Sequence, residues 1–232
     1  MKKDRFIIEL KKININLTDK QINQFITYYN LLVEYNQKFN LTALIKEEDV
    51  YLKHFYDSLT LSLAINLNNQ YLCDIGSGAG FPGIVLKIVY PNLSIDLIEA
   101  NSKKCLFLEK VIKTLNLTNI RVINTRCEEY SPKNKEIYDI ATARAVSNIN
   151  ILLECIANSI KVNGVFIAMK STTKELDNLN NTLNKLNFNI TNINTLNLPI
   201  ENSLRTIITF KKLKETPSIY PRMYKDIKKK PL

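Results

Sequence analysis

The sequence predicts an α/β fold: a mostly parallel, seven-stranded sheet with helices on both faces, preceded by a helical cap. Three observations support this. Residues 71 to 75 form a short apolar run that leads through a glycine-rich turn into a run of helical character. Strand-like and helix-like stretches then alternate as far as residue 187, which is typical of a parallel sheet with crossover helices. The link between the two final strand-like stretches is too short for a crossover helix, so the last strand should run antiparallel.

The helical cap is predicted over residues 1 to 66. Thr18 and Gln21 have the spacing of a capping box, and apolar residues recur after them at helical intervals. A second helical stretch starts near Glu47, where three successive acids suit a helix N-terminus, and runs towards Leu63.

The sheet domain is predicted over residues 67 to 210. Its strands are expected at residues 71–75, 94–98, 120–124, 137–141, 165–169, 188–196 and 205–210. Asn101 should cap the helix that follows the second strand, because an Asn side chain can accept hydrogen bonds from N–H groups of the first turn.

The turn after the first strand is the best candidate for a ligand-binding loop. Four of the chain's 5 glycines, Gly76, Gly78, Gly80 and Gly83, fall within it. Glycine is used where the backbone turns with positive φ or approaches a ligand closely. Open α/β sheets bind nucleotide-like ligands at such a place, outside the carboxyl ends of the strands.

Two acids near this turn bear on the identity of the ligand. Asp74 ends the first strand, where a carboxylate disfavours a pyrophosphate and suits an ammonium or sulfonium ligand such as S-adenosylmethionine. Glu99 ends the second strand, about 20 residues beyond the glycines, and suits the ribose hydroxyls of either ligand. The segment from Gly78 to Gly83 also matches the dinucleotide fingerprint, so a nicotinamide-dependent oxidoreductase is the second hypothesis. The strand layout differs from a six-stranded dinucleotide fold and favours a methyltransferase sheet.

The composition indicates a globular, cytoplasmic protein with a polyanionic partner. The chain has 232 residues, 45% of them hydrophobic, and we expect neither a membrane span nor a signal peptide. Its 4 cysteines show neither metal-site nor disulfide spacing, so reduced thiols and no metal are expected. The formal net charge of +10 suggests a partner such as nucleic acid.

Much of this charge lies in a basic tail predicted over residues 211 to 232. The tail holds eight basic residues against two acidic ones, and Tyr220 and Tyr224 lie among them. Such a mixture suits phosphate neutralisation and base stacking, and Arg222 should hold a phosphate through its guanidinium fork. Truncation after Phe210 should then weaken RNA binding and leave cosubstrate affinity unchanged. A merely solubilising tail is the alternative.

Several motifs along the chain resemble those of a known family. They are Asn40-Leu41-Thr42-Ala43, His54-x-x-Asp57-Ser58-Leu59, the segment from Asp74 to Gly83, Leu97-Ile98-Glu99-Ala100, Ala143-Arg144-Ala145 and Tyr220-Pro221-Arg222. Over nearly the whole chain the sequence resembles the bacterial ribosomal RNA small subunit methyltransferase G family. Many methyltransferases share the glycine loop, whereas the Gly-Phe-Pro-Gly ending with the His-x-x-Asp-Ser-Leu and Tyr-Pro-Arg elements is specific.

The resemblance implies a Rossmann-like class I methyltransferase that uses S-adenosylmethionine to methylate N7 of one guanine in the decoding region of 16S ribosomal RNA. Ribosomal RNA or the small subunit is then the partner, and we expect a monomer. Cosubstrate contacts are implied at Gly76, Phe81, Cys127, Glu128 and Arg144. With the residues suggested by the glycine turn and its acids, the predicted cosubstrate site is Asp74, Gly76, Gly78, Phe81, Glu99, Cys127, Glu128 and Arg144.

The residues agree with N7 chemistry in one respect. Guanine N7 has an in-plane lone pair and no proton to remove, so its methylation requires alignment and an electrophile rather than a general base. The fourth strand ends in Thr142-Ala143-Arg144-Ala145, not in the Asn/Asp-Pro-Pro-aromatic corner typical of exocyclic amine methylation. No catalytic acid, base or nucleophile is therefore predicted.

Three residues near the predicted site have alternative roles. Cys127 is a conceivable nucleophile, but without a Pro-Cys motif a backbone contact to adenine is the better interpretation. His54, the only histidine, is expected to pin the cap through Asp57 rather than to catalyse. Arg144 should hold the cosubstrate or steer the guanine, with a surface ion pair as the alternative.

Overall fold

The structure, a computed structural model that describes all 232 residues, is built on a seven-stranded sheet. The strands are β1 (Tyr71–Ile75), β2 (Ser94–Glu99), β3 (Ile120–Asn124), β4 (Tyr138–Arg144), β5 (Ile160–Lys170), β6 (Phe188–Asn197) and β7 (Leu204–Lys212). Their order across the sheet is β3-β2-β1-β4-β5-β7-β6. Strands β1 to β5 pair in parallel, and β7 lies antiparallel between β5 and β6. The predicted fold class, including the reversed last strand, is confirmed.

The position of β1 determines where a ligand can bind. It pairs with β2 on one side and with β4 on the other. The chain therefore adds β2 and β3 on one side of β1, crosses back, and adds the later strands on the other side. A crevice opens at such a switch point, outside the carboxyl ends of the strands. The glycine turn, Glu99 and Arg144 all lie at this edge, at the ends of β1, β2 and β4.

Helices cover both faces of the sheet and form the cap. They are α1 (Lys3–Lys12), α2 (Asp19–Phe39), α3 (Glu47–Asp49), α4 (Asp57–Leu59), α5 (Gly83–Val89), α6 (Ser102–Thr114), α7 (Cys127–Tyr130), α8 (Ile149–Ile156), α9 (Asn180–Leu186) and α10 (Tyr224–Lys229). Between α3 and α4 the helix continues as a π-helical segment, Val50–Tyr56. The predicted helix from Glu47 is therefore present, but its central part is more loosely wound than an α-helix. No helix has the length and apolar character needed to cross a membrane.

Two predicted helix caps are present. Thr18 Oγ1 accepts a hydrogen bond from the Gln21 N–H at 3.3 Å, and Gln21 Oε1 accepts one from the Thr18 N–H at 2.9 Å. This is the capping box expected at the start of α2. The Asn101 side chain accepts hydrogen bonds from two N–H groups in the first turn of α6.

The cap shares one hydrophobic core with a face of the sheet. Tyr28 on α2 stacks on Phe55 with ring centroids 5.3 Å apart, and its ring lies 5.6 Å from Phe81 and 6.4 Å from Phe107. The Tyr28 hydroxyl also donates a hydrogen bond to the carbonyl oxygen of Ala79 in the glycine turn. The cap therefore supports the glycine turn directly.

The basic tail, residues 211 to 232, is packed against the opposite face of the sheet. Its first two residues belong to β7, and the buried ammonium of Lys212 is held by two main-chain carbonyl oxygens and a carboxylate. Arg222 Nε and Nη2 each lie 2.7 Å from an oxygen of Glu154, which is fully buried. Ile227 on α10 is also fully buried. The prediction that the Arg222 fork holds a phosphate is wrong, because Glu154 already occupies that fork.

Candidate active site

The glycine turn between β1 and α5 is constrained by its own backbone and by packing. Gly76, Gly78 and Gly80 have φ angles of +63°, +60° and +96°, a region that glycine enters without a steric penalty. The Gly76 N–H donates to the Ile98 carbonyl oxygen at 2.8 Å. A Cβ atom on Gly76 would lie 2.8 Å from the Val146 side chain. Any side chain at position 76 would therefore strain the turn.

Asp74 lies beneath this turn and is fully buried. Its Oδ2 accepts a hydrogen bond from the Gly83 N–H at 2.9 Å, whereas its Oδ1 is buried without a partner. Burial raises the pKa of Asp74 to about 7, although the Gly83 N–H and the charge of Arg144 oppose the shift. An unpartnered carboxylate oxygen beside the turn fits an acceptor for a ligand ammonium, but the Asp74 side chain does not line the adjacent cavity.

A cavity of about 320 Å³ lies at the carboxyl ends of β1, β2 and β3. Gly76 and Glu99 line one part of it, and Cys127 and Glu128, the first residues of α7, line another. Most of the lining residues are hydrophobic, as is usual for a small-molecule site with a few placed polar groups. Four of the predicted site residues therefore meet in this cavity.

Glu99 connects the turns that follow β1 and β2. Its Oε2 accepts a hydrogen bond from the Gly78 N–H at 2.9 Å, and its Oε1 accepts one from the Asn101 N–H at 2.8 Å. Each carboxylate oxygen can accept a further hydrogen bond, so ribose hydroxyls can donate to the same atoms. Gly78 acts on the cavity through Glu99 and does not line it.

Glu128 contributes an acceptor to the cavity wall. Its Oε1 is buried and has no hydrogen-bond partner, and Arg126 Nη1 is 3.8 Å away, beyond hydrogen-bonding distance. A buried acceptor is stabilised when a donor reaches it. Glu128 therefore fits a contact to an N–H group of a bound ligand.

Cys127 is not equipped to be a nucleophile. Its Sγ donates a hydrogen bond to the Cys155 carbonyl oxygen at 3.6 Å, and the side chain is buried. Burial raises the pKa of the Cys127 thiol well above its usual range. Because the thiolate is the reactive form, this environment favours the interpretation of Cys127 as a main-chain contact.

A second cavity, of about 450 Å³, adjoins the first, and Ala145 after β4 lines both. Its charged lining residues are four basic ones and two acidic ones: Lys53, Arg144, Lys170, Arg205, Asp57 and Glu175. We call this second cavity the basic cleft. Lys170 is paired with Glu175, and Lys53 with Asp49 and Glu201. The unmatched positive charge therefore lies at Arg144 and Arg205, which share Asp57, and it suits an anionic ligand.

Arg144 lies in the wall of the basic cleft, where residues of the cap position it. Its Nη1 donates to the Lys53 carbonyl oxygen at 2.7 Å and to Asp57 Oδ2 at 3.1 Å, and its Nη2 lies 3.2 Å from His54 Nδ1. The guanidinium carbon is 5.3 Å from the centroid of the Phe81 ring. Arg144 is thus in a buried network and not in the surface ion pair considered as an alternative.

His54, on the π-helical segment, is neutral. Because Arg144 donates to Nδ1, the ring proton is on Nε2, which donates to Thr42 Oγ1 at 3.0 Å. Burial and then the charge of Arg144 lower the pKa of His54 to about 3. The ring also stacks on Phe81, with centroids 4.4 Å apart. His54 forms no hydrogen bond to Asp57, so the prediction that it pins the cap through Asp57 is wrong; Arg144 makes that connection.

Arg205 and Lys170 are cleft residues that the sequence analysis missed. Arg205 Nε donates to Asp57 Oδ1 at 3.0 Å, so Asp57 bridges Arg205 and Arg144. Lys170 ends β5, and antiparallel pairing places it opposite Thr206, next to Arg205. For Arg205 the available signal was composition, because arginines are only 6 of the chain's 32 basic residues; no such signal marked Lys170.

The chain matches the family described as rRNA small subunit methyltransferase G over residues 21–204. It is 43% identical over 228 residues to the ribosomal RNA small subunit methyltransferase G of Oceanobacillus iheyensis, covering 96% of this chain and 95% of that protein. Its counterpart from Bacillus subtilis is 39% identical over 224 residues, covering 94% of each chain. The chain belongs to the rRNA small subunit methyltransferase G family. The resemblance inferred from the motifs is confirmed.

Solved structures show the fold of this family member. A SAM dependent methyltransferase from Aquifex aeolicus aligns with a TM-score of 0.56 at 13% identity, covering 74% of this chain and 96% of the other. M. jannaschii TYW2, solved in complex with AdoMet, aligns with a TM-score of 0.54 at 15% identity, covering 68% and 77%. Family and fold together confirm a methyltransferase with S-adenosylmethionine as cosubstrate, and they displace the oxidoreductase hypothesis. The individual contacts stay predictions.

Proposed function

We propose that the protein methylates N7 of a guanine in 16S ribosomal RNA. In this proposal S-adenosylmethionine binds in the cavity at the ends of β1, β2 and β3, and the guanine enters the basic cleft. The observation that most directly supports this proposal is that the two cavities meet at Ala145 and differ in the charge of their lining residues. Glu99 and Glu128 line the first cavity together with Lys104 and Arg126, so its charged side chains balance, whereas four basic side chains line the second with two acidic ones. The second cavity therefore suits an anionic RNA, and the first offers the carboxylates of Glu99 and Glu128 as acceptors for the cosubstrate.

Each predicted cosubstrate residue in or below the first cavity has a defined task in this proposal. Glu128 Oε1, which lacks a partner, accepts a hydrogen bond from the adenine amino group, and Glu99 accepts from the ribose hydroxyls. Asp74 Oδ1 accepts from the ammonium, and the main chain of Gly76 and Cys127 approaches the ligand closely. When bound, the cosubstrate supplies an electrophilic methyl group on a positively charged sulfur.

Phe81 and Arg144 act from the other side of the glycine turn. The Phe81 ring lies between the turn and the cap, where it stacks on His54 and supports the Arg144 guanidinium. Arg144 can donate to guanine O6 or to a phosphate, and either contact would orient N7 towards the first cavity. The cap residues therefore hold Arg144 in place, and Arg144 in turn orients the guanine.

The state of the ionisable groups around Arg144 favours N7 over an exocyclic amine. His54 has one nitrogen protonated and the other accepting from Arg144, and its pKa of about 3 leaves it without basicity at neutral pH. Asp57 is held between Arg144 and Arg205. Amine methylation releases a proton that a base would take, whereas guanine N7 needs only positioning.

The tail carries a further group of basic side chains. Four lysines on or next to α10 are exposed: Lys225, Lys228, Lys229 and Lys230. In the proposal they contact phosphates without sequence preference.

An enzyme with this substrate works in the cytoplasm, and a monomer without a metal ion suffices for the chemistry described.

Methyl transfer to defined RNA tests the proposal. The protein would be incubated with S-adenosylmethionine carrying a labelled methyl group and either unmodified 16S ribosomal RNA or small subunits that contain it. Nucleosides from the digested RNA would be separated by liquid chromatography and mass spectrometry. Labelled 7-methylguanosine is expected, and Arg144→Ala should abolish it. Label in N2-methylguanosine or 1-methylguanosine would contradict N7, and no label from either substrate would contradict the proposal as a whole.

A further inference from the structure

Tyr224, the first residue of α10, lies at the edge of the first cavity. It lines this cavity together with Cys127 and Glu128, and it is the only aromatic side chain that does so. The residue is 36% exposed, so part of its ring is open to whatever occupies the cavity. The tail thus reaches the small-molecule site from the opposite end of the sequence.

The position of this ring is fixed by several contacts. The guanidinium carbon of Arg126 lies 5.5 Å from the ring centroid, and Arg126 also lines the cavity. Two residues before Tyr224, Arg222 forms its paired hydrogen bonds to buried Glu154. Ile227, one turn later, is fully buried. The Tyr224 ring is therefore held at the cavity by anchors on both sides of it in the chain.

We infer that Tyr224 is a cosubstrate-binding residue that stacks on the adenine base of S-adenosylmethionine. The inference rests on the proposed placement of adenine beside Cys127 and Glu128. An aromatic ring at the border of a mostly apolar cavity offers a π-face that a purine can cover. The ring rather than the hydroxyl performs this task, because the Tyr224 hydroxyl forms no hydrogen bond within the chain. The C-terminal segment therefore completes the small-molecule site as well as carrying exposed lysines.

Stacking of one base on an aromatic side chain sets the size of the expected effect. Tyr224→Ala should weaken binding of S-adenosylhomocysteine at least about fivefold, measured by calorimetry on the full-length protein. Tyr224→Phe should bind as the wild type does, since it keeps the ring. Met223→Ala is the matched control, because Met223 is the adjacent residue, is 66% exposed and does not line the first cavity. Thermal unfolding would establish that each variant is folded.

A fluorescent substitution gives a second, independent readout. The chain has no tryptophan, so Tyr224→Trp introduces a single indole at the edge of the cavity. Titration with S-adenosylhomocysteine should change its emission, with a midpoint equal to the Kd from calorimetry. Met223→Trp should respond far less.

Glu128→Ala separates this inference from the proposed site. Weaker binding in Glu128→Ala with normal binding in Tyr224→Ala would overturn the role of Tyr224 and leave the site in place. Normal binding in both variants would overturn both the stacking contact of Tyr224 and the side-chain contact of Glu128. An indole at position 224 with unchanged emission at saturating ligand would also overturn the stacking contact.

Discussion

The guanidinium of Arg222 donates two hydrogen bonds to the buried carboxylate of Glu154, from Nε and from Nη2, each with a nitrogen–oxygen distance of 2.7 Å. Removal of one partner from a buried ion pair leaves the other charge without compensation. Since the Arg222 side chain is 25% exposed, we expect Arg222→Ala to lower the free energy of unfolding by about 3 kcal/mol, the lower end of the range for buried pairs. Urea denaturation measures this change.

The control for Arg222 is Lys225→Ala, which removes an exposed cation from the same segment. This variant should keep the wild-type free energy of unfolding within about 0.5 kcal/mol. Equal stability of Arg222→Ala and Lys225→Ala would mean that the pair with Glu154 contributes nothing to the folded state.

The raised pKa of Asp74 should make cosubstrate binding depend on pH. A ligand ammonium favours the ionised carboxylate, so S-adenosylhomocysteine affinity should rise from about pH 6 to about pH 8, by at most about tenfold for each pH unit below the pKa of about 7. Calorimetry at several pH values measures this slope, and Asp74→Asn should flatten it. A flat profile in the wild type would remove Asp74 from the ligand contacts.

The contribution of Asp74 to protein stability should fall as the pH rises, whereas its contribution to cosubstrate affinity should increase. Its folded-state pKa of about 7 lies above its ordinary value of 3.8, so the folded state binds the proton more tightly than the unfolded state does. The resulting stabilisation is fully present below about pH 4 and is lost as the pH rises through 7. The wild type should therefore lose stability relative to Asp74→Asn between these values, as followed by denaturation at each pH.

The unpartnered oxygen of Glu128 predicts a direct effect on cosubstrate affinity. Glu128→Ala should weaken S-adenosylhomocysteine binding by about 1 to 3 kcal/mol if its side chain accepts a ligand hydrogen bond. Glu129→Ala is a suitable control, because Glu129 is the exposed next residue of α7 and does not line the cavity. Equal affinities of the two variants would mean that only the main chain at this position contacts the ligand.

The exposed lysines of α10 should contribute to RNA affinity through phosphates. Replacing Lys228 and Lys229 by glutamine should flatten the dependence of log affinity on log salt by about 0.7 unit for each phosphate of single-stranded RNA that the variant no longer neutralises. Lys110 and Lys113, exposed on α6 at the other face of the sheet, provide a control with the same change of charge. Identical slopes for both variants would show that the tail lysines are only solvated charge.

Cys127→Ser should retain methyl transfer. The thiol is buried, its pKa is raised well above the usual range, and its proposed contact to the ligand is through the main chain. Single-turnover rates of the wild type and the variant measure this directly. Complete loss of activity at unchanged cosubstrate affinity would instead identify Cys127 as a nucleophile.

Local patterns were sufficient to predict the elements that carry the cosubstrate cavity. The apolar run before Gly76 and the helix after it define β1 and α5, and the short link before β7 requires an antiparallel neighbour. Glu128 was implied only by the resemblance to the family, whereas Glu99 could be placed because it ends a strand. Such features depend on neighbours in the chain, which a single sequence records.

The basic cleft and the packing of the tail could not be predicted because they depend on partners far apart in the sequence. Arg205 reaches Asp57 across 148 residues, and Arg222 reaches Glu154 across 68. Truncation after Phe210 is therefore expected to weaken cosubstrate binding, contrary to the prediction from the sequence that the affinity would be unchanged. Such a truncation removes a buried lysine, the Arg222 anchor and Tyr224.

The aromatic cluster between the cap and the sheet has a consequence for synthesis on the ribosome. Tyr28 and Phe55 are made early, but two of the rings they pack against, Phe81 and Phe107, are made later. A nascent cap therefore presents unpaired aromatic surface until α6 has left the exit tunnel, and during that interval it is a target for chaperones and for aggregation. The cap can therefore complete its aromatic packing only after the second third of the chain has been synthesised.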